Sequence, residues 1–237
     1  MVKIPKKPWG TEGRTSHNFK TSHKFGEQGE LWLDEHLGRY FDIQPSMTND
    51  FDRLYTTWEP SEDRPTVGSR IEHHEYGHGS ISQVDGTGTT VIARFEPMPP
   101  LLAERRGSLF FPSDDYTVFK RNDIRVEIKT EKRAHDTNNV FIETESNSNT
   151  HAPGWAYTLK FDELFHFVPQ VGRVRVIPAV LIREHVDEWR SRIGDVPAHN
   201  VTSRGRPIYS TLGVPVPFAE IEPLVARSFD IPPMPVD

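Results

Sequence analysis

The sequence predicts an α/β fold: a mixed sheet flanked by helices and interrupted by a small β-rich insert. Three observations lead there. Residues 124–130 alternate strictly between apolar and charged side chains. Residues 27–37 and 182–193 repeat apolar positions at helical spacing. Between two strand candidates lies a glycine-rich, β-patterned run at 67–95. Such mixed periodicity fits neither a helical bundle nor an all-β sandwich.

Taken in order, residues 1–26 form a basic arm. Lys3, Lys6, Lys7, Arg14, Lys20 and Lys24 face one acid, Glu12. Residues 27–37 read as an amphipathic helix, with Glu30, Leu33, Asp34 and Leu37 on one face and Gly38 closing it. Residues 40–43 and 51–58, rich in aromatic and β-branched side chains, read as strands. The charged, proline-containing break at 59–65 opens an insert at 65–112, whose residues 81–84 and 89–95 form a hairpin. Residues 116–119, 120–123 and 124–130 read as a second hairpin-like pattern. Further strands are expected at 140–145, 155–160, 165–168 and 173–177, with Gly172 in the last turn. Residues 182–193 make a helix with Ile182, Val186, Trp189 and Ile193 on one side. A strand and short helix follow in 208–225, and 230–237 reads as a loose tail. The main domain thus runs through 27–64 and 113–229, split by the insert.

Composition narrows the function classes. With no cysteine, thiolate metal sites and disulfide staples are excluded. There is no long apolar run and no signal peptide, so a soluble cytoplasmic protein without membrane contact is expected. The formal net charge of −6 argues against a protein that coats nucleic acid. It leaves room for metal-binding carboxylates, whose local negative charge bound cations offset.

The alternation at 124–130 sends Ile124, Val126 and Ile128 to one face and Arg125, Glu127 and Lys129 to the other. The apolar set can pack on a core while Glu127 and Lys129 stand side by side. A carboxylate and an amine so placed suit metal-assisted phosphodiester cleavage. The carboxylate helps hold Mg²⁺, the Ile128 carbonyl can add a ligand, and the lysine orients the attacking water or stabilises the transition state. By itself Glu-x-Lys is a common surface pattern; its surroundings carry more.

Val126-Glu-Ile-Lys-Thr130 followed by Thr137-Asn-Asn-Val-Phe-Ile-Glu143 resembles the "VEVKTD…TGNxFIE" signature of phage and bacterial PD-(D/E)XK nucleases. Gly154-Trp-Ala-Tyr-Thr-Leu-Lys-Phe-Asp162 is similar to the "GW.YTTKAD" segment that follows in such proteins. Upstream, Gly29-Glu30 resembles the family's helical glutamate, and Phe51-Asp52-Arg53-Leu54 its "IDR" strand. The likeness covers residues 26–58 and 120–190. It implies a restriction-endonuclease-like mixed sheet flanked by helices. It also implies that Asp52 and Glu127 bind Mg²⁺ or Mn²⁺, that Lys129 is the catalytic lysine, and that Glu30 supports the metal or its water. Asn138, Leu159 and Phe161 depart from the pattern, and Asp52 lies unusually far from Glu127 for this family.

An insertion accounts for that distance. Val67-Gly-Ser-Arg-Ile-Glu-His-His-Glu-Tyr-Gly-His-Gly79, with 80–84 and 91–95, resembles the Tudor-like or SH3-like barrel at the C-terminus of UvrD-type helicases. Such modules bind protein or nucleic acid. A second aspartate, Asp115, also follows a proline (Pro112) and precedes the Glu-x-Lys strand, so Asp52 and Asp115 both remain candidates for the motif aspartate. Glu143 either reaches the site or pairs with a surface cation such as Lys132. His74-Glu75-Tyr76-Gly77-His78 matches H-E-x-x-H, but a zinc peptidase needs both histidines on one helical face, and the surrounding glycines and hairpin do not supply one. His135 and His151 are expected at the surface. Trp32, Trp155 and Trp189 are expected in the core or at interfaces.

The expectation is therefore a Mg²⁺- or Mn²⁺-dependent DNA endonuclease of phage or bacterial DNA processing or defence. Basic residues of the arm, with Arg125, Lys132 and Arg133, would contact phosphates. Cutting both strands of a duplex would favour a homodimer. The alternative is a binding protein on a nuclease scaffold, docking RNA polymerase or a repair factor through the insert.

Overall fold

The computed structural model describes residues 17–48, 50–62, 64–67, 69–73, 77–85, 90–95, 109–112, 116–202, 204 and 206–236. Backbone packing divides the chain into two units, Met1–Tyr55 with Ile124–Asp237, and Thr56–Asp123. The second contains the 65–112 segment expected as the insert. Two strands, β3 (Arg53–Ser61) and β8 (Tyr116–Thr130), carry residues of both units and pair with each other.

In the first unit, β8 is the pivot. It pairs in parallel with β11 (Glu163–Val168), with Val126 opposite Glu163 and Lys129 opposite His166. β11 pairs antiparallel with β12 (Arg173–Pro178), and β12 with β15 (Arg227–Asp230). The sheet is therefore mixed. One face carries Ile124, Val126, Ile128, Phe165, Phe167, Val174 and Val176. They pack against Leu33 and Leu37 of α1 (Phe19–Leu37), with Phe41 and Tyr55. The alternate residues Leu164 and Ile177 enter a second core. It is built by β9 (Asn139–Asn147), β14 (Pro207–Pro217) and α4 (Ala179–Ile193), whose Ile182, Val186 and Trp189 are buried. β9 and β14 belong to a second sheet, ordered β1 (His17–Asn18), β13 (Val196–Val201), β14, β9, β10 (Ala152–Pro153). Apolar residues on both faces of β11 and β12 are what bury this sheet on two sides.

In the second unit, β4 (Arg70–His73) pairs with the Tyr116–Phe119 stretch of β8 and with β5 (Gly77–Val84). β6 (Thr90–Phe95) and β7 (Leu109–Pro112) complete an antiparallel series around Ile71, Ile81, Val91 and Ala93. The expected hairpin is thus β5 with β6. Among the described residues, β7 pairs only with β6, and no closed barrel is seen.

Four expectations are corrected. Residues 116–130 form one strand, not a hairpin. Lys120-Arg-Asn-Asp123 contains no turn-forming glycine or proline, and Asp123 accepts hydrogen bonds from Thr56 Oγ1 at 2.6 Å and Arg121 Nε at 2.7 Å. Residues 155–158 are a short helix, α3 (Trp155–Thr158), not a strand. Gly154, still extended, donates its N–H to the Thr144 carbonyl and lies so close to β9 that a Cβ there would be 2.4 Å from the Glu143 carbonyl oxygen; the helix starts at the next residue. The 230–237 segment is no loose tail. Ile231 and Met234 are 5 % exposed in the first core, and Trp32 Nε1 donates to the Pro232 carbonyl at 2.9 Å. α1 begins at Phe19, well before Glu27, though it ends where Gly38 predicts. The remaining elements are β2 (Asp42–Pro45), which pairs with β3, the short helix α2 (Ala134–Thr137), and the short helix α5 (Phe218–Ile221), which with the 3-10 turn Glu222–Leu224 leads into β15.

Candidate active site

The alternation of β8 appears in its burial: Val126 and Ile128 are in the core, while Glu127 and Lys129 project from the opposite face. The Glu127 side chain is 14 % exposed and that of Lys129 33 %, and the two are in direct ionic contact. Their proximity follows from the two-residue repeat of a strand; their burial follows from the layer that covers that face.

Asp52 joins them from across the sequence. Its amide donates to the Val126 carbonyl at 2.9 Å, and its Oδ2 accepts the Ile128 amide at 2.7 Å. The two bonds bracket Glu127. The Ile128 amide is therefore committed to the aspartate, while its side chain serves the core.

Glu30 comes from α1 but is engaged by Arg53. The guanidinium meets Glu30 Oε2 at 3.0 Å, Asp34 Oδ2 at 3.0 Å and the Asp52 carbonyl at 2.9 Å. α1 approaches closely because residue 29 is glycine. A Cβ there would lie 2.0 Å from Thr130 Oγ1. Arg53 and Asp34, which were not expected in the site, tie Glu30 and Asp52 together; their local signals were the Asp-Arg dipeptide and the shared helix face of Glu30 and Asp34.

Glu143 lies on β9 and reaches the site. Its Oε1 accepts the Trp155 amide at 3.2 Å, and its charge acts on Lys129 and Glu127. Burial pushes the Glu143 carboxyl above the ordinary glutamate range, with Lys129 and the Trp155 amide opposing. Glu127 is likewise pushed up by burial, opposed by Lys129 and reinforced by Asp52 and Glu143. Burial disfavours charge on Lys129, but Glu127, Asp52 and Glu143 outweigh it and hold the ammonium above its usual pKa. Glu30 is raised by burial and by Asp52, against Arg53. Three carboxylates thus share one lysine in a partly dehydrated space, an excess of negative charge that a cation would relieve.

Asp52, Glu127, Lys129 and Glu143 are brought together; Glu30 is near but held in the Arg53 pair. Asp115, the 1–16 arm, His74, Glu75 and Tyr76 lie outside the described residues. His78 is in β5, not on a helix as zinc-peptidase chemistry requires. Arg125, expected to meet phosphates, is instead held by Asp162 at 2.6 and 3.0 Å.

The donors at the site are carboxylate oxygens, which suit a hard divalent cation. Among the described residues, no three His, Asp or Glu side chains are already gathered as a metal-holding group. Glu127 would have to release Lys129, and Asp52 would have to offer the oxygen not taken by Ile128. The donor set fits in kind and charge, and loading requires side-chain rearrangement. Comparison of the chain with protein-family models, with curated proteins and with solved structures finds no match. No described helix is long and apolar enough to cross a membrane.

Proposed function

We propose that this chain is a Mg²⁺- or Mn²⁺-dependent nuclease hydrolysing DNA phosphodiester bonds, an endonuclease on a restriction-endonuclease-like sheet. The observation that carries the reading is the Asp52 Oδ2 to Ile128 amide bond, which unites a distant aspartate with the Glu127-x-Lys129 strand. Asp52, Glu127 and the Ile128 carbonyl would hold the metal. When bound, the metal would acidify a water and neutralise charge on the scissile phosphate. Lys129 would orient that water or the phosphate oxygen, and Arg53 would keep Glu30 and Asp52 aligned. DNA as substrate and a phage or bacterial setting rest on the sequence resemblance, a homodimer on the need to cut two strands, and a cytoplasmic location on the sequence composition.

The test is a cleavage panel of single-stranded, duplex, nicked and branched DNA with Mg²⁺ and Mn²⁺. Cleavage is expected with wild type and absent with Lys129→Ala and Glu127→Ala. Cleavage that survives both substitutions unchanged sinks the reading.

A second reading has one specific support: Glu127 is already engaged by Lys129. The protein would then be a non-catalytic binder, using the 65–112 insert as a Tudor-like module for RNA polymerase, a repair factor or nucleic acid. Calorimetric titration with Mn²⁺ separates the two, since the second predicts no stoichiometric binding.

A further inference from the structure

The row of side chains on the site face of β8 continues past Lys129 to Glu131, whose amide donates to the Phe167 carbonyl of β11 at 2.9 Å. Glu131 does two things. Its Oε1 and Oε2 accept the Phe141 amide of β9 at 3.1 and 3.3 Å, and its Oε2 meets His166 Nε2 at 3.3 Å. His166 is fully buried, sits opposite Lys129 in the β8–β11 register, and lies 5.8 Å from the Phe218 ring. Its Nδ1 has no hydrogen-bond partner among the described residues. A buried imidazole costs desolvation, and here its hydrogen bond goes to one carboxylate. That expense gives directional hold on Glu131, which an apolar residue of equal size would not provide.

The hold matters because of what lies two residues beyond Phe141. Glu143 shares the site-facing side of β9 with Phe141, and it is the carboxylate of that strand which acts on Lys129. Glu131 therefore fastens β9 beside the strand that carries Lys129. The Trp155 amide fixes the Glu143 carboxylate from the other side.

We propose that the Glu131–His166 pair is a positioning device for Lys129: it clamps β9 so that Glu143 stands by the lysine and can take its ammonium when Glu127 turns away. His166 and Glu131 act through Glu143 and are not catalytic residues. The proposal rests on the nuclease reading for its activity arm only.

The experiment compares Glu131→Ala, His166→Leu and His166→Gln in the full chain, with thermal unfolding as a control for folding. Gln at 166 can present an amide N–H toward Glu131, whereas Leu cannot. Well below each variant's Tm, Glu131→Ala and His166→Leu should lower kcat at least tenfold with KM for DNA within about twofold. His166→Gln should recover kcat to within about threefold of wild type. A merely structural pair would lower Tm and leave kcat unchanged, and that result overturns the proposal. A second readout does not need activity. The Lys129 ammonium ¹⁵N resonance should move in Glu131→Ala in the same direction as in Glu143→Gln. An unmoved resonance overturns the proposal even if wild type cleaves DNA. Failure of wild type to cleave, with the resonance shift present, defeats the nuclease reading and leaves the clamp.

Discussion

Asp52 and Ile128, 76 residues apart, are joined by a 2.7 Å hydrogen bond from the Ile128 amide to Asp52 Oδ2. The bond gives Asp52 a structural duty besides any metal-binding one, and substitutions separate the two. Asp52→Ala leaves a buried amide unpaired and should cost about 1–3 kcal/mol of stability. Asp52→Asn keeps an acceptor, so it should stay within about 1 kcal/mol of wild type. Both should lower cleavage by about a hundredfold or more, as loss of a transition-state electrostatic group does. Urea unfolding and single-turnover cleavage measure the two effects. Asp115→Ala in the same assays should cleave like wild type; if it alone abolishes cleavage, Asp52 is not the motif aspartate.

Lys129 and Glu127 share charge in a poorly hydrated place. Lys129→Met should therefore destabilise the protein more than the double change Lys129→Met with Glu127→Gln, which removes the carboxylate in direct contact with the lysine and leaves one fewer without its cation. The gap should be about 1–2 kcal/mol, below the range for fully buried pairs because a third of the lysine side chain remains exposed. A double-mutant cycle in urea reads it directly. Equal destabilisation by the single and double variants would show that the pair is solvated.

The raised carboxylates set a direction with pH. Glu30, Glu127 and Glu143 hold their protons above the ordinary glutamate value of 4.5, with burial as the leading cause. The folded chain then binds more protons than the unfolded one, so their contribution to stability falls as pH rises from 4.5 through the raised values. Asp123 and Asp162 run the opposite way. Hydrogen bonds from Arg121 and Arg125 hold them below 3.8, and what they contribute is lost as pH falls below that value. Glu143→Gln should flatten the decline in Tm as pH rises above 4.5, and at neutral pH should raise Tm on the order of 2–4 °C. Millimolar Mn²⁺ should raise the wild-type Tm in the same range.

Gly29 and Thr130 test the approach of α1. Gly29→Ala places a Cβ 2.0 Å from Thr130 Oγ1 and 2.8 Å from its Cβ, so rotating the threonine cannot relieve the contact. The expected cost is about 1–3 kcal/mol, the usual range for overpacking. Thr130→Ala removes the two nearest atoms and should recover part of the loss in the double variant. Full stability of Gly29→Ala alone would mean that α1 packs less closely.

Removing residues 231–237 tests the corrected tail. Ile231 and Met234 are buried in the core cluster that also holds Phe165 and Val174, and each should contribute about 1.5–3 kcal/mol. Their joint loss is a large share of ordinary domain stability, so the truncated chain should unfold at much lower urea. An unchanged midpoint would return the tail to a loose role.

What the sequence determined by itself is local. The two-residue repeat of Ile124 to Thr130 put Glu127 beside Lys129, and the apolar spacing of α1 and α4 named Leu33, Leu37, Ile182, Val186 and Trp189 as core. These patterns are short-range, and burial enforces them on any chain that folds around them. What only the tertiary structure decided depends on partners distant in sequence. Asp52 bonds to Ile128, Arg53 gathers Glu30 and Asp34, Glu143 reaches Lys129, and Glu131 holds His166. The same holds for the errors. Trp155–Thr158 has strand-like residues but is helical, starting from a Gly154 that packs closely on the β9 backbone. Ile231 and Met234 look like a polar-ended tail until the core beneath α1 accepts them. In each case the deciding interaction is a contact across the fold, and no window of neighbouring residues contains it.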